Sequence, residues 1–326
     1  MGQILMIVPM YPIQRLSRSE FIPIRNMNYH VRLWGQPSPD RTPLVMVHGW
    51  MDVGASYQFV VDALAQDHFV IAPDWRGYGL TGLNPAGSGT AASRYVPTDN
   101  YWFPDYMADL DFLLDHYAPN QPVNLVGHSM GGNVVMLYAG ARPERIRRLV
   151  NLEGFGMPAS RAAQAPGRSA KWMDELKDLH KGDKALRPYD TLDGVVRRLM
   201  KTNPRLARDE AGIAKAQWLA PHWAQENAQG KWEILGDPAH KIINAQLYRV
   251  DEVLALYANI TAPTLAVEAS DNQMAQWWAG RYSLDEYHER LKSVPHITVA
   301  LIEDAGHMLH HDQPEKLAKL IEDFIL

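Results

Sequence analysis

The sequence predicts an α/β fold with a mostly parallel sheet. Three observations carry that reading. Short apolar runs of parallel-strand type alternate with helical patterns, as they do when crossover helices cover both faces of a sheet. A glycine-flanked serine stands where one such run passes into a helix, in Val123-Asn124-Leu125-Val126-Gly127-His128-Ser129-Met130-Gly131-Gly132. An amphipathic pattern from Pro314 to Phe324 closes the chain after a last apolar run.

Taken in order, Phe21 to Ile24 and Tyr29 to Trp34 read as two strands joined by the turn Arg25-Asn26-Met27-Asn28. Leu44 to Val47 is a strand followed by a helix near Ala55 to Ala65, and Phe69 to Ala72 a strand followed by a helix near Tyr106 to Tyr117. Val123 to Val126 leads into a helix from Met130 to Ala141, and Ile146 to Leu152 is the next strand. Thr264 to Val267 and Ile297 to Ile302 complete an eight-stranded sheet. Residues 1-154 and 260-326 are thus expected to form the core. Between them, 155-259 lacks a regular strand signal and carries helical stretches such as Lys171 to His180 and Leu192 to Lys201, which predicts an inserted helical cap over the strand ends. Trp172, Trp218, Trp223 and Trp232 are expected mostly to pack its interior. Asn84 to Asn100 and Met157 to Ala170, rich in Gly, Pro, Ala and Ser, read as loops.

Composition narrows the function classes. The 326 residues can bury a sizeable core, and 46% hydrophobic with 21% charged residues describes a globular chain rather than a disordered one. A net charge of -5 gives no basic field for nucleic acid, and Arg145, Arg147 and Arg148 are expected to be a solvated turn. With no cysteine, disulfides, thiolate metal sites and a cysteine nucleophile are excluded. The apolar start from Ile4 to Met10 is too short to span a bilayer, lacks a basic flank, and contains Pro9. Met6 stands where a myristoylation signal requires Ser or Thr. The expectation is a cytoplasmic protein that binds neither membrane nor nucleic acid and acts on a small molecule.

The glycines two residues either side of Ser129 predict a nucleophile elbow, since a side chain at either place would strike the adjoining strand or helix. A serine hydroxyl is a weak nucleophile until an imidazole takes its proton and a carboxylate holds that imidazole in the right tautomer. Of 13 histidines, His307 is the candidate, because it follows the last strand on Asp304-Ala305-Gly306 and precedes the last helix. His310 and His311 are expected at the surface or behind the reacting groups, and no third ligand supports a metal at His307 and His311. Donors for an oxyanion are expected from the backbone N–H of Met130 and of Trp50, the latter on the turn Val47-His48-Gly49-Trp50-Met51-Asp52.

Together, His48-Gly49-Trp50, Asp74-Trp75-Arg76-Gly77-Tyr78-Gly79, Gly127-His128-Ser129-Met130-Gly131-Gly132 and Ala305-Gly306-His307 resemble, in order, the motifs of the α/β-hydrolase superfamily, in its serine hydrolase or esterase branch. The resemblance spans roughly residues 20 to 326 and implies the α/β-hydrolase fold, with Asp74 and Arg76 as structural loop residues. It offers two places for the acid. Most of the family carries it after the strand that follows the cap, where this chain has Ser270-Asp271-Asn272, with Asp271 one residue early. Some haloalkane dehalogenases carry it after the strand beside the elbow, and there Glu153 of Val150-Asn151-Leu152-Glu153-Gly154-Phe155-Gly156 matches. Glu153 is preferred and Asp271 is the alternative. The nucleophile departs from those dehalogenases, which use aspartate, so acyl transfer to water is the chemistry expected of Ser129, His307 and Glu153.

The motif positions set Trp50, Met51, Met130, Phe155 and Met308 around the acyl site, and their apolarity points to a small or medium, largely apolar ester. No cofactor and no metal are expected. Lactones, amides, thioesters and carbon–carbon bonds use the same machinery, and a ligand-binding protein on the same scaffold is a rival reading.

Overall fold

The computed structural model describes residues 10–83, 95 and 98–326. Most of the apolar start from Ile4 and of the expected loop from Asn84 to Asn100 lies outside the described residues. The chain opens with β1 (Arg18–Ile24) and β2 (Met27–Trp34), which pair antiparallel with Ile24 opposite Met27, so the turn is tighter than expected and rests on Arg25 at φ 54°. Next come β3 (Leu44–Val47), α1 (Gln58–Ala63), β4 (Val70–Pro73), α2 (Phe103–Tyr117), β5 (Val123–His128), α3 (Met130–Ala141) and β6 (Ile146–Leu152). A short 3-10 turn, Gly54–Tyr57, replaces the first turn of the helix expected from Ala55. After β6 the chain forms α4 (Ala165–His180), α5 (Leu192–Thr202), α6 (Glu210–Trp223), the strands β7 (Ala224–Glu226) and β8 (Trp232–Ile234), and α7 (Val250–Ala258). It returns through β9 (Thr264–Ala269), α8 (Met274–Trp278), α9 (Leu284–Leu291), β10 (Ile297–Ile302), α10 (Leu309–Asp312) and α11 (Pro314–Ile325).

Eight strands make one sheet in the order β1-β2-β4-β3-β5-β6-β9-β10. From β4 to β10 the neighbours are parallel; β2 runs antiparallel to β1 and β4. All residues of β3, β4, β5 and β9 are buried, which is why they read as continuous apolar runs rather than alternating ones. On one face Val45, Val47, Leu125 and Leu149 pack against Leu110, Leu113, Val135 and Tyr257 of α2, α3 and α7. On the other, Met46, Val126, Val150 and Val267 meet Val60 and Val61 of α1 and Leu317 and Ile321 of α11. Arg147 and Arg148 are not a solvated turn: they donate to the Ile325 and Phe324 carbonyls and so satisfy the open end of α11.

Between β6 and β9 a separate apolar cluster joins Val195 and Leu199 of α5 to Trp218, Leu219 and Trp223 of α6, and these bear on Phe59 of α1. Trp232 packs at its margin, whereas Trp172 lies 6.3 Å from Trp102. The β7–β8 hairpin corrects the expectation that this stretch holds no strand. Three-residue strands are too short to show alternation; their register comes from Asn227, whose side chain accepts the Gln229 and Lys231 amides across the turn.

Candidate active site

Ser129 sits between β5 and α3 at φ 53°, ψ -115°, a conformation costing on the order of 1–3 kcal/mol for a residue other than glycine. Packing holds it there. A Cβ on Gly127 would meet the Gly131 carbonyl oxygen at 2.4 Å, and one on Gly131 would meet the Val47 and His48 carbonyl oxygens at 2.5 Å. The Ser129 amide donates to Leu152 of β6 at 2.8 Å, and its carbonyl accepts from Asn133 in α3 at 3.0 Å. Strand, turn and helix thus have no room to relax.

His307, on the loop between β10 and α10, brings Nε2 to 2.9 Å from Ser129 Oγ, and its Nδ1 lies 3.2 Å from Glu153 Oε2. A carboxylate beside Nδ1 keeps the proton there, which leaves the Nε2 lone pair facing the serine hydroxyl. Glu153 follows β6 at φ 57° and is 2% exposed. Its amide donates to Val267 of β9, and Oε1 accepts from the Ala269 amide at 2.7 Å, so one oxygen is anchored and the other aimed. Asn151 fixes the turn: its Oδ1 accepts from the Gly154 amide and its Nδ2 donates to the Gly154 carbonyl and to Tyr287 Oη. The loop of His307 is tied back in turn, because its carbonyl accepts from His128 Nε2 at 2.7 Å.

The turn after β3 lies against the elbow, where a Cβ on Gly49 would meet Ser129 Cβ at 3.0 Å. His48 Nε2 accepts the Trp75 amide at 2.8 Å, so Nδ1 carries the proton and donates to the Gly49 carbonyl at 2.8 Å. Burial holds His48 below the ordinary imidazole range, which suits a neutral ring with one donor and one acceptor. Fixing that carbonyl fixes the peptide plane and turns the Trp50 N–H away from it. Among the described residues, neither the Trp50 nor the Met130 amide donates to a backbone carbonyl. Behind the turn, Asp74 accepts from the Gly54 and Leu80 amides and from His30 Nδ1, while Arg76 grips buried Asp109 through two bonds of 2.6 and 2.7 Å.

Other expectations need correction. Asp271, the alternative acid, is not brought to His307: its carboxylate is exposed and paired with Arg205, which also binds Asp304. Phe155, expected in the wall of the acyl site, is 4% exposed and packs edge-on to Tyr287. Trp50 is 53% exposed, Met130 and Met308 are half-buried, and Met51, at φ 54°, sets its sulfur where a Cβ on Gly236 would touch it. Of the two places expected for His310 and His311, the surface is excluded, because both are buried. Trp277 of α8 stands edge-on to His307 with ring centres 4.5 Å apart. Nothing in its spacing announced this, because the contact depends on how the turn after β9 folds.

The description of a family model as the alpha/beta hydrolase fold applies to residues 42–314. The chain belongs to that family. This hydrolase is 25% identical over 316 residues to a serine hydrolase-like protein of Danio rerio, covering 95% of its own length and 89% of the relative's. It is 37% identical over 118 residues to cis-3-alkyl-4-alkyloxetan-2-one decarboxylase of Shewanella oneidensis, 36% of this chain and 34% of that protein. Among solved structures, the thioesterase domain from the curacin biosynthetic pathway superposes with a TM-score of 0.74 at 21% identity, covering 94% of this chain and 99% of that one. Among the described residues, no helix of the hydrolase is long and apolar enough to cross a membrane.

Proposed function

We propose that this protein is a serine hydrolase that cleaves a carboxylic ester through an acyl-enzyme, with Ser129 as nucleophile, His307 as base and acid, and Glu153 as the carboxylate that orients it. The observation that carries the reading is the continuous line from Ser129 Oγ through both His307 nitrogens to Glu153 Oε2, at 2.9 and 3.2 Å. As Oγ attacks the ester carbonyl, its proton passes to Nε2, and the resulting imidazolium is held by Glu153. The carbonyl oxygen, now an oxyanion, takes hydrogen bonds from the Trp50 and Met130 amides. When the tetrahedral intermediate collapses, the C–O bond breaks and Nε2 returns the proton to the departing alcohol. Water then repeats the sequence on the acyl-enzyme and releases the acid.

The half-buried Met130 and Met308 and the exposed faces of Trp50 and Trp277 near these groups support a small or medium, largely apolar substrate. The segment 155-259 is proposed as the cap that closes over it. The test pairs covalent labelling of Ser129 by a fluorophosphonate with turnover of p-nitrophenyl esters graded in acyl length. Labelling with turnover of apolar esters is expected. Labelling without turnover of any acyl substrate would replace the ester hydrolase by a binding protein on the same scaffold, and equal turnover of strongly charged esters would remove the apolar assignment.

A further inference from the structure

Behind the proposed catalytic groups three buried side chains converge, each with at least one polar atom that has no hydrogen-bond partner among the described residues. Asp52, on the turn after β3, is 3% exposed; His128, the last residue of β5, is 1% exposed; His310, in α10, is fully buried. One ligand atom from each lies within 4.8 Å of the others, and His310 Nε2 is 3.5 Å from Asp52 Oδ2. Asp52 Oδ2, His128 Nδ1 and both His310 nitrogens have no hydrogen-bond partner among the described residues.

What surrounds these atoms already determines what they can do. His128 Nε2 is occupied by the His307 carbonyl, which accepts and so calls for the proton on Nε2; neutral His128 therefore presents a bare lone pair at Nδ1. Asp52 is likewise oriented by its other oxygen, which accepts from the Ser56 hydroxyl and from Trp223 Nε1 at 3.0 Å. A carbonyl behind one imidazole and an indole and a hydroxyl behind the carboxylate are the outer supports that metal ligands require. Zn²⁺ binds nitrogen and carboxylate oxygen at about 2.0–2.2 Å, so adjacent ligands of a tetrahedral site stand about 3.4 Å apart. The Asp52–His310 separation matches that spacing, and a ligand atom of His128 lies within 4.8 Å of both.

We infer that Asp52, His128 and His310 form a binding site for a borderline divalent transition metal, with Zn²⁺ the ion that two imidazoles and one carboxylate fit best. The site lies outside the Ser129–His307–Glu153 line and does not depend on it. Bound there, the ion would join the turn after β3, the end of β5 and α10, the three pieces that hold the Trp50 amide, the elbow and the loop of His307.

The test is equilibrium dialysis of the full chain against Zn²⁺, with Co²⁺ as a spectroscopic probe. Wild type is expected to hold one equivalent, to show the visible bands of a tetrahedral Co²⁺ site, and to melt at a higher temperature with the rise complete at one Zn²⁺ per chain. D52N and H310Q should lose that equivalent, while Ser129→Ala and His307→Ala keep it. Should either ligand variant fail to fold, the ¹⁵N resonances of wild type decide: Zn²⁺ must shift His128 Nδ1 and a His310 ring nitrogen. Loss of binding in His307→Ala with retention in H310Q would move the ion to the proposed catalytic histidine and overturn the assignment, as would no stoichiometric binding to wild type.

Discussion

Replacing Glu153 by Gln asks one oxygen to do the work of two. In the native site Oε1 accepts the Ala269 amide at 2.7 Å while Oε2 faces His307 Nδ1 at 3.2 Å. Glutamine offers one carbonyl oxygen and one NH₂. With its oxygen toward Ala269, the NH₂ points at Nδ1 and drives the imidazole proton to Nε2, where the ring no longer accepts from Ser129. Flipped, the side chain keeps Nδ1 protonated but sets a donor against the buried Ala269 N–H, at a cost of about 1–3 kcal/mol. That cost leaves the competent arrangement to about one molecule in five to one in 150. A neutral amide also stabilises the imidazolium less than a carboxylate, by about 1–2 kcal/mol, a further factor of about 5–30. The product is a loss of about 30-fold to 5,000-fold in the second-order rate of fluorophosphonate labelling of Ser129, with a parallel fall in kcat/KM for any ester the wild type cleaves. Asp271→Asn removes an exposed partner of Arg205 that Asp304 also holds, and should stay within about twofold of wild type. Wild-type labelling by Glu153→Gln together with collapse in Asp271→Asn would refute the reasoning.

Ser129→Ala should abolish labelling and lower the chemical step by on the order of a millionfold, read from single-turnover hydrolysis. Gly131→Ala would drive a methyl group into the Val47 and His48 backbone oxygens at 2.5 Å, so labelling should fall with the elbow's geometry even where circular dichroism shows the sheet intact. Asp109→Asn leaves the Arg76 guanidinium without its buried counterion and should cost about 3–5 kcal/mol in urea unfolding. His222 carries a pH prediction: burial and the nearby Arg32 push it down to about 4, below the ordinary value of about 6.5. Between these values the unfolded chain binds the extra proton, so stability is full near neutrality and falls on acidification; from pH 7 to 4.5 wild type should lose about 2 kcal/mol more than His222→Gln in urea titrations.

The sheet and the elbow were legible because their signals are local. Fully buried strands leave unbroken apolar runs, and the clash that excludes a side chain at Gly127 or Gly131 lies within a few residues of the serine. That His307 stands beside Ser129 could be expected because the loop after the final strand is short. Glu153 was harder, since its distinction from Asp271 depends on whether an oxygen leaving β6 or one leaving β9 reaches Nδ1. Asn151 decides that by clamping Gly154, a bond whose partner could not be read from sequence spacing. Which of their two expected places His310 and His311 take, the surface or behind the reacting groups, stayed open for a similar reason: two polar residues in a short turn look solvated until α1 and the turn after β3 close over them. Three-residue β7 and β8 and the edge of Trp277 on His307 likewise arise from contacts between distant segments.

The acid's place on β6 has a consequence for the far side of the site. With Glu153 facing His307, the carboxylates after β9 and β10 stand outside the proposed Ser129–His307–Glu153 line and serve as a fastening. Arg205, on the short turn after α5, draws Asp271 and Asp304 to one guanidinium, with Asp312 at 3.6 Å. The proposed reaction and the attachment of the inserted segment therefore rest on separate sets of charges. Substitutions along the β9 and β10 loops are therefore expected to change how tightly that segment is moored while leaving the proposed proton acceptor of Ser129 unaltered.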